Sequence, residues 1–392
     1  MALEIDLNKK KIEEQYECIG TKKLTVRGNP QTYNIYQIPL SDVHYNRLNG
    51  RIASEMSSIK KSNKLDEVSD DDIENFIFES AKPNNKKTQE SIRKRGQDEV
   101  AIVLRNGTVI DGNRRFTCLR RLFRDSHNER FRYLNAVILD DTVLDDRTIK
   151  LLELNIQYKE EKVGYTPINR LAEISENILS DHSIITREDM LEATDESAKD
   201  LDKEIQYAKL MLEFLDFVGK PFDYKYAEEN KIEGSLQEMG NNLVNQKGLS
   251  DEEMQTIKEI CFSLIINGVR SQSLRPYIYA FRNKNILSEE KIDRANDLND
   301  TIKSSVMEEG RIPDDVVSTF EEFTEDTVSE HERLEERESE IKVAKQALKK
   351  AQMIDPEKLE YLKEEEQQKV IEYVDKLKKT VDNLWEKINV KR

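Results

Sequence analysis

The sequence SIRKRGQDEVAIVLRNGTVIDGNRRFTCLRRL, residues 91–122, carries the strongest local structure signals in the chain. Glu99 to Leu104 is an apolar, β-branched run that predicts a strand. Asn106-Gly107 predicts a hairpin turn, because both turn positions tolerate a positive φ. Thr108 to Ile110 then supplies the return strand. The stretch therefore predicts two short antiparallel strands joined by a tight turn.

The second predicted strand runs into a helix through residues 109–115, VIDGNRR, which we call the strand–helix corner. Asp111 or Asn113 can cap the helix that follows. The apolar residues of this helix fall on one face, as an amphipathic helix requires; they are Phe116, Leu119, Leu122 and Phe123.

The strand–helix corner has the chemistry of an anion site. The first amides of a helix lack intrahelical partners, and the helix dipole places partial positive charge there. Gly112 lets the backbone approach a ligand closely, and Arg114 and Arg115 add fixed cations. These features together predict a phosphate-binding site. The residues alone also allow a plain strand-to-helix connection whose arginines are solvated.

Four short segments resemble the ParB/sulfiredoxin-like superfamily, in the order that family has them. SIRKRGQ at 91–97, an apolar strand and VIDGNRR at 109–115 resemble its core. Upstream, IPLSDV at 38–43 with Arg51 is similar to the family's entry strand and the arginine after it. Downstream, NIQ at 155–157 resembles the box that helps to hold a metal–nucleotide in ParB CTPases.

The resemblance implies a nucleoside triphosphate site, for CTP or ATP, with Mg²⁺ as a further ligand. The implied nucleotide-binding residues are Arg51, Gly96, Gln97, Gly112, Asn113, Arg114 and Arg115. Asn155 and Glu153 are the implied metal-binding residues. Asn113 stands where ParB proteins usually have Glu, and Leu154 stands where the metal-binding Glu of the third box would be. Sulfiredoxin carries a cysteine at the position of Asn113, so thiol reductase chemistry is not expected.

Composition indicates a helix-rich protein with an extended part, since 37% of the 392 residues are hydrophobic and 36% are charged. No apolar run approaches the roughly 18–20 residues of a membrane helix, so no membrane partner is expected. The three cysteines are too few for a disulfide framework. We therefore expect a reduced, cytoplasmic protein, and the resemblance implies a bacterium, plasmid or phage as its source.

The net charge of −16 is unevenly distributed, because residues 1–160 sum to about +2 and residues 161–392 to about −18. Basic residues crowd between positions 93 and 132: Arg93, Lys94, Arg95, Arg105, Arg114, Arg115, Arg120, Arg121, Arg124, Arg130 and Arg132. Arg120, Arg121 and Arg124 lie off the apolar stripe and are predicted to be solvated. The acidic remainder argues against DNA coating by the whole molecule, so any DNA is expected to meet a local basic patch.

The pattern predicts an α+β ParB/sulfiredoxin-like domain, an all-α middle domain and C-terminal coiled-coil helices. The predicted segments are a lead-in at 1–31, the nucleotide-binding domain at 32–160, a helical domain at 161–300, an acidic linker at 301–325 and a coiled-coil segment at 326–392. Within the second segment, residues 55–90 are polar and acidic and are expected to form a surface excursion around one short helix.

The helical domain holds a degenerate helix-turn-helix-like spacing near residues 185–211. Its presumptive recognition helix is acidic, carrying Asp195, Glu196, Asp200, Asp202 and Glu204. Carboxylates repel phosphates and supply few base-reading donors, so a packing role is predicted for this helix.

The C-terminal segment shows clean heptad spacing in Val370, Val374, Leu377, Val381, Leu384 and Ile388. Such an apolar seam requires a partner helix. The break at Asp355-Pro356 permits either a hairpin within one chain or pairing between chains, and we expect a homodimer through this segment.

These features favour a nucleotide-binding switch acting on DNA or a DNA-associated complex, with slow nucleotide hydrolysis as an associated activity. Population shift requires only that the nucleotide bind one state better than another. The alternatives are a metal-dependent nuclease, a small-molecule phosphotransferase, or a non-catalytic adaptor that retains the fold and binds a protein partner. Asp111, Glu153 and Glu160 are the acidic residues near the four segments on which a nuclease would depend.

Overall fold

The computed structural model describes residues 14–26, 29–47, 49–61, 67–139, 145–159, 166–181, 183–194, 196–244 and 248–390. Over these residues the N-terminal part mixes strands and helices and the remainder is helical, as the sequence predicts. Residues 1–328 form one compact unit and residues 329–392 form a second.

Six strands of the described part form one sheet, in the order β1-β2-β6-β4-β5-β3. They are β1 (Glu17–Val26), β2 (Asn29–Pro39), β3 (His44–Tyr45), β4 (Ala101–Leu104), β5 (Thr108–Asp111) and β6 (Tyr133–Leu139). The β4–β6 and β3–β5 pairs are parallel and the others antiparallel. The described part of the expected lead-in is thus structured, because β1 pairs with β2 and forms an edge of the sheet.

The first unit contains these helices: α1 (Ala53–Lys61), α2 (Asp70–Ser80), α3 (Lys82–Arg95), α4 (Asn113–Ser126), α5 (Asp146–Lys159), α6 (Pro167–Ile174), α7 (Arg187–Thr194), α8 (Ala198–Phe217), α9 (Tyr224–Glu229), α10 (Glu233–Met239), α11 (Asp251–Ile266), α12 (Arg275–Phe281), α13 (Glu289–Glu309) and the start of α14 (Asp314–Gln352).

The predicted hairpin is confirmed as β4–β5. Gly107 has φ 87°, and the side-chain oxygen of Asn106 accepts from the Thr108 amide at 2.9 Å. A Cβ on Gly107 would lie 2.7 Å from the Asp42 carbonyl oxygen, so the turn requires glycine. All four residues of β4 are buried, because β4 lies between β6 and β5.

Residues 55–90 differ from the expected surface excursion, since α2 and α3 belong to the core beside the sheet. Ser69 and Asp72 form a capping box that starts α2. Ile73, Ile77 and Ile92 are buried in the same hydrophobic cluster as the inner face of α4. Burial of these three side chains holds the two helices against the sheet, despite the polar composition of the segment.

Helix α5 is shared by two hydrophobic cores. Leu152 belongs to the cluster that includes Ile102 and Val137 of the sheet. Leu154, which is fully buried, belongs to the large cluster of the helical part. The sheet and the helical part therefore meet across this helix.

The acidic face of the helix-turn-helix-like segment is used internally, in accord with the packing role predicted for it. Helices α7 and α8 correspond to the predicted pair. Glu196 and Glu204 both bind the buried Arg170 at 2.8 Å, and Asp202 pairs with Arg187. The opposite face of α8 is buried in the helical core.

The segment expected to be an acidic linker, residues 301–325, is instead helical and packed. Ile302 on α13 is fully buried, and so is Phe320 on α14, while Phe323 is 3% exposed. The rings of Phe281 and Phe323 lie 5.7 Å apart. The acidic residues occupy the solvent face of these helices. The composition of the segment is therefore polar, although one stripe of each helix is apolar and buried.

The second unit consists of the rest of α14, a short α15 (Pro356–Leu359) and α16 (Glu364–Val390). The predicted break is confirmed: the Asp355 side chain accepts from the Glu357 amide at 3.0 Å, and Pro356 opens α15.

We predict that Phe320→Ala lowers the free energy of unfolding of the first unit by about 3–5 kcal/mol, because it empties a fully enclosed site. Phe222→Ala is the matched control, since Phe222 is 55% exposed, and it should change the free energy of unfolding by less than about 0.5 kcal/mol. Chemical denaturation followed by circular dichroism measures both. Equal effects would contradict the placement of residues 301–325 in the core.

Candidate functional site

The strand–helix corner has the backbone geometry of an uncapped helix start. Gly112 occupies the N-cap position of α4 in the left-handed conformation, with φ 97° and ψ 11°. The cap predicted at Asp111 or Asn113 is therefore wrong, and the N-cap residue itself, being glycine, supplies no capping side chain to the first amides of α4. A Cβ at this position would lie 2.7 Å from the Ala101 Cβ on β4. Both the conformation and the close approach to the sheet therefore require glycine.

Asn113, the first residue of α4, is 97% buried at the corner, with 3% of its surface exposed. Its side-chain Nδ2 donates to the Val109 carbonyl at 2.8 Å. Among the residues that the structure describes, its Oδ1 has no hydrogen-bond partner. A buried acceptor without a donor is costly, so this oxygen marks a place where a donor group or a cation would be stabilised.

Arg115 and Asp111 form an ion pair across the first turn of α4. Their Nη1 and Oδ2 atoms are 3.5 Å apart, and both side chains are 15% exposed. Arg114 is half-buried on the same turn and adds positive charge near Cys118. Burial nevertheless raises the pKa of the Cys118 thiol to about 12, which disfavours the nucleophilic thiolate form.

Gly96 and Gln97 lie at the end of α3 and fasten this helix to the sheet. Gly96 has φ 89° and caps α3. The Gln97 side chain donates to the carbonyls of Glu99 and Asn135 at 2.7 Å and accepts from the Asn135 amide at 2.9 Å. These three bonds use most of the hydrogen-bonding capacity of the Gln97 amide.

Glu153, implied by the resemblance as a metal ligand, lies in a buried ion network. Its carboxylate is 3.2 Å from the Lys150 ammonium, which is also 3.1 Å from Glu173 on α6. Burial strongly lowers the pKa of Lys150, but the two carboxylates outweigh it and the net pKa is raised. Asn155 is half-buried on the same helix. Over the described ranges, no three metal-ligating side chains come together.

Arg51 lies in the short turn Gly50–Ile52 that leads into α1, and the position of its side chain lies outside the described part. The elements around it are anchored by the helical part. The Asn169 side chain accepts from the Ser54 amide at 3.2 Å, and the Ser54 hydroxyl donates to Glu228 at 2.9 Å. The turn and α1 are thus tied to α6 and α9.

Three of the crowded arginines, predicted to be solvated, are held by one buried carboxylate that the sequence reasoning missed. Glu74 on α2 is 1% exposed and contacts Arg120, Arg121 and Arg124 on α4 at 3.2, 3.1 and 2.6 Å. The acidic run EVSDDDIENF at residues 67–76 was the available signal. These arginines therefore join two helices.

Other basic residues of the crowded region lie on α3. Lys86, Lys87, Lys94 and Arg95 line an open depression of about 580 Å³, together with Glu90 and Ser91. The backbone carbonyl of Lys94 also accepts from Arg130 at 3.4 Å, which brings a fifth cation to the end of this helix. We call the surface formed by Lys86, Lys87, Lys94 and Arg95 the α3 basic surface.

Comparisons of this chain with family models, with curated proteins and with solved structures gave no match. The resemblance of residues 33–160 to the ParB/sulfiredoxin-like superfamily thus stays an expectation. Within the described residues, no helix combines the length and the apolar character that a membrane crossing needs.

We predict that Gly112→Ala destabilises the protein by about 1–3 kcal/mol more than a control substitution, because the new Cβ overpacks the contact with Ala101. The control is Gly268→Ala, since Gly268 also has a positive φ, +84°, but has open space around it. Thermal denaturation of the two variants makes the comparison. Equal destabilisation would mean that backbone strain alone, and not the approach to β4, requires glycine at the corner.

Proposed function

We propose that the chain is a nucleotide-binding switch, and that the strand–helix corner binds the phosphates of a nucleoside triphosphate, CTP or ATP. The single observation that carries the proposal is the left-handed glycine at the N-cap of α4, which supplies no capping side chain of its own and stands directly before Arg114 and Arg115. Amides of a helix start and guanidinium groups are the donors that phosphates prefer in proteins.

The Arg115–Asp111 pair supplies the switching element. In the unliganded protein the guanidinium has a carboxylate partner at 3.5 Å. A phosphate carries more charge and more acceptor oxygens than Asp111, so a bound triphosphate would compete for Arg115. When the phosphate replaces Asp111 as the partner of Arg115, Asp111 is released. The ligand then binds the state in which the Arg115–Asp111 pair is broken more tightly than the state in which it is formed. A population shift requires such a difference in affinity.

A magnesium ion that accompanies the triphosphate would find hard oxygen ligands in Asp111 and in the buried Oδ1 of Asn113. Glu153 fits this role less well, because its carboxylate already compensates the buried Lys150 charge. Such an ion would neutralise phosphate charge. The residues of the corner bind and orient the ligand.

A route from the corner to the helical part exists in α5 and α1. Helix α5 packs near β5, the strand that enters the corner, and Lys150 ties it to Glu173 on α6. Helix α1 is tied to Asn169 and Glu228. A change at the corner that moves either helix would therefore also move the helical part, and with it the surface that a protein partner would bind.

DNA is the proposed macromolecular partner, and the α3 basic surface is its proposed contact. Lysines on a helix face attract the phosphate backbone without reading base sequence. The described acidic residues Glu196, Asp202 and Glu204 of the helix-turn-helix-like segment are engaged in internal ion pairs instead. This arrangement favours backbone contact by the α3 basic surface over base reading by α8.

The alternatives are a metal-dependent nuclease and an adaptor without ligand. The nuclease needs clustered carboxylates for its metal ions, and Asp111 in its pair with Arg115 is the acidic group at the corner. Digestion of DNA with Mg²⁺ or Mn²⁺, comparing the native chain with Asp111→Ala and Arg115→Ala, separates this activity from the switch.

We predict that Arg114→Ala combined with Arg115→Ala abolishes nucleotide binding. Thermal shift with ATP, CTP, GTP and UTP in the presence of Mg²⁺ is the measurement. A nucleotide at 100 times its Kd should stabilise the native chain by about 2.7 kcal/mol, and the double variant should show no shift.

The matched control is Arg333→Ala with Arg337→Ala, two exposed arginines of α14, which should retain the shift. Circular dichroism of the unliganded corner variant must give native helix content, so that lost binding is not lost folding. Binding retained by the Arg114/Arg115 double variant would refute the site. The absence of a shift with all four nucleotides in the native chain would favour the adaptor.

We predict that replacing Lys86, Lys87 and Lys94 by Gln weakens duplex DNA binding for all sequences alike. Each lost phosphate contact should reduce the slope of log K against log salt by about 0.9, so the triple variant should lose up to about 3. The control replaces Lys345, Lys349 and Lys350, exposed on α14, and should keep the native slope. An unchanged slope in the α3 variant would place DNA, if bound, on another surface.

A further inference from the structure

Helix α16 exposes a continuous apolar stripe. Its six seam residues, the ones at 370, 374, 377, 381, 384 and 388, follow one another at intervals of four and three. The exposed fractions of the last five are 43% for Val374, 39% for Leu377, 53% for Val381, 52% for Leu384 and 59% for Ile388. Beside the stripe, Ile371 is 55% exposed and Trp385 is 68% exposed. A stripe of this length in contact with water is unfavourable, and such a surface marks an interaction site.

The preceding helix of the same unit does not cover this stripe. Ile341 and Leu348 on the second half of α14 are themselves 54% and 60% exposed. The heptad spacing of α14 is also interrupted, because Arg337 falls between Leu334 and Ile341 at a seam position. An intramolecular hairpin would bury both sets of residues against each other, and neither set is buried.

The identities of the seam residues match one kind of partner. Val374, Val381 and Ile388 occupy the first seam position of successive heptads, position a, and are β-branched. Val370, Leu377 and Leu384 occupy the other seam position, d, where the last two are leucine. In a parallel coiled coil, β-branched residues at a with leucine at d favour two strands over three or four.

The residues that flank the seam also fit a parallel pair. In that arrangement Tyr373 of one helix faces Lys378 of the other, and Thr380 faces Trp385. Neither contact joins like charges, and a lysine ammonium over a tyrosine ring is favourable. An antiparallel pair that aligned the whole seam would instead place Lys378 of each helix beside Lys378 of the other. Repulsion between the two Lys378 ammonium groups disfavours the antiparallel arrangement, whereas its contact of Tyr373 with Lys387 is as favourable as that of Tyr373 with Lys378 in the parallel one.

We propose that α16 pairs in parallel and in register with α16 of a second copy of this chain. Such a pair covers the stripe along its whole length. This pairing rests on α16 alone and does not depend on a nucleotide at the strand–helix corner.

Disulfide trapping in the full chain tests the orientation. The background carries Cys18→Ser, since Cys18 is exposed. Cys118 and Cys261 are buried, and burial raises the pKa of each thiol to about 12, so both stay unreactive. Single cysteines are introduced by Val374→Cys and, separately, by Ile388→Cys. The matched controls, Lys379→Cys and Glu386→Cys, lie on the outer face of the same helix.

A parallel, in-register pair brings each seam cysteine against the same cysteine of the second copy. Both seam variants should therefore form disulfide-linked dimers on mild oxidation. Both controls should stay largely monomeric on a non-reducing gel. In the antiparallel pair the two copies of residue 388 would be about 27 Å apart, far beyond the roughly 7 Å that a disulfide spans. Cross-linking of Val374→Cys with Leu384→Cys in a mixture, without linking of either seam variant to itself, would overturn the parallel assignment.

Light scattering of the unmodified chain tests the pairing itself. We expect a dimer mass at micromolar concentration, and a monomer mass for Leu377→Asp combined with Leu384→Asp. The control Lys379→Asp, on the outer face, should remain a dimer. A monomer mass for the native chain, or a dimer mass that survives the two seam aspartates, would overturn the proposal.

Discussion

The buried ammonium of Lys150, held between Glu153 and Glu173, is the interaction on which the arrangement of the first unit depends. All three residues are at most 6% exposed, and the two Lys150 contacts are 3.2 and 3.1 Å long. A buried charge without a partner costs about 3–5 kcal/mol, so the three groups must remain together. Because Glu153 lies on α5 and Glu173 on α6, that requirement fixes the helical part against the sheet.

The strand–helix corner lies on the sheet side of this junction. Its glycine packs against β4, its first turn carries the Arg115–Asp111 pair, and its strand β5 contacts α5. The corner and the helical part are therefore linked through one helix. This connection gives the proposed switch a physical path made of packed side chains and a buried ion network rather than of distance alone.

The basic residues near the corner divide into groups with different uses. Arg120, Arg121 and Arg124 bind Glu74 and join α2 to α4. Arg114 and Arg115 remain at the start of α4, and the lysines of α3 face an open surface. The division follows from burial. Glu74 is 1% exposed, so its negative charge requires a positive partner. The three arginines nearest to Glu74 supply that positive charge.

The sequence alone determined the features that depend on neighbours in the chain. Turn chemistry placed the β4–β5 hairpin, helix periodicity placed the buried face of α4, and capping by Asp355 and Pro356 placed the break before α15. Only the tertiary structure decided the rest. Residues 55–90 and 301–325 look polar because their charged faces dominate the composition, yet each helix there needs only a few buried side chains, such as Ile77 or Phe320, to join a core. The pairing of Glu74 with Arg124 and that of Lys150 with Glu173 were equally hidden, because the partners lie 50 and 23 positions apart in the chain. Ion pairs and burial between distant segments follow from how the chain packs, and no local pattern encodes them.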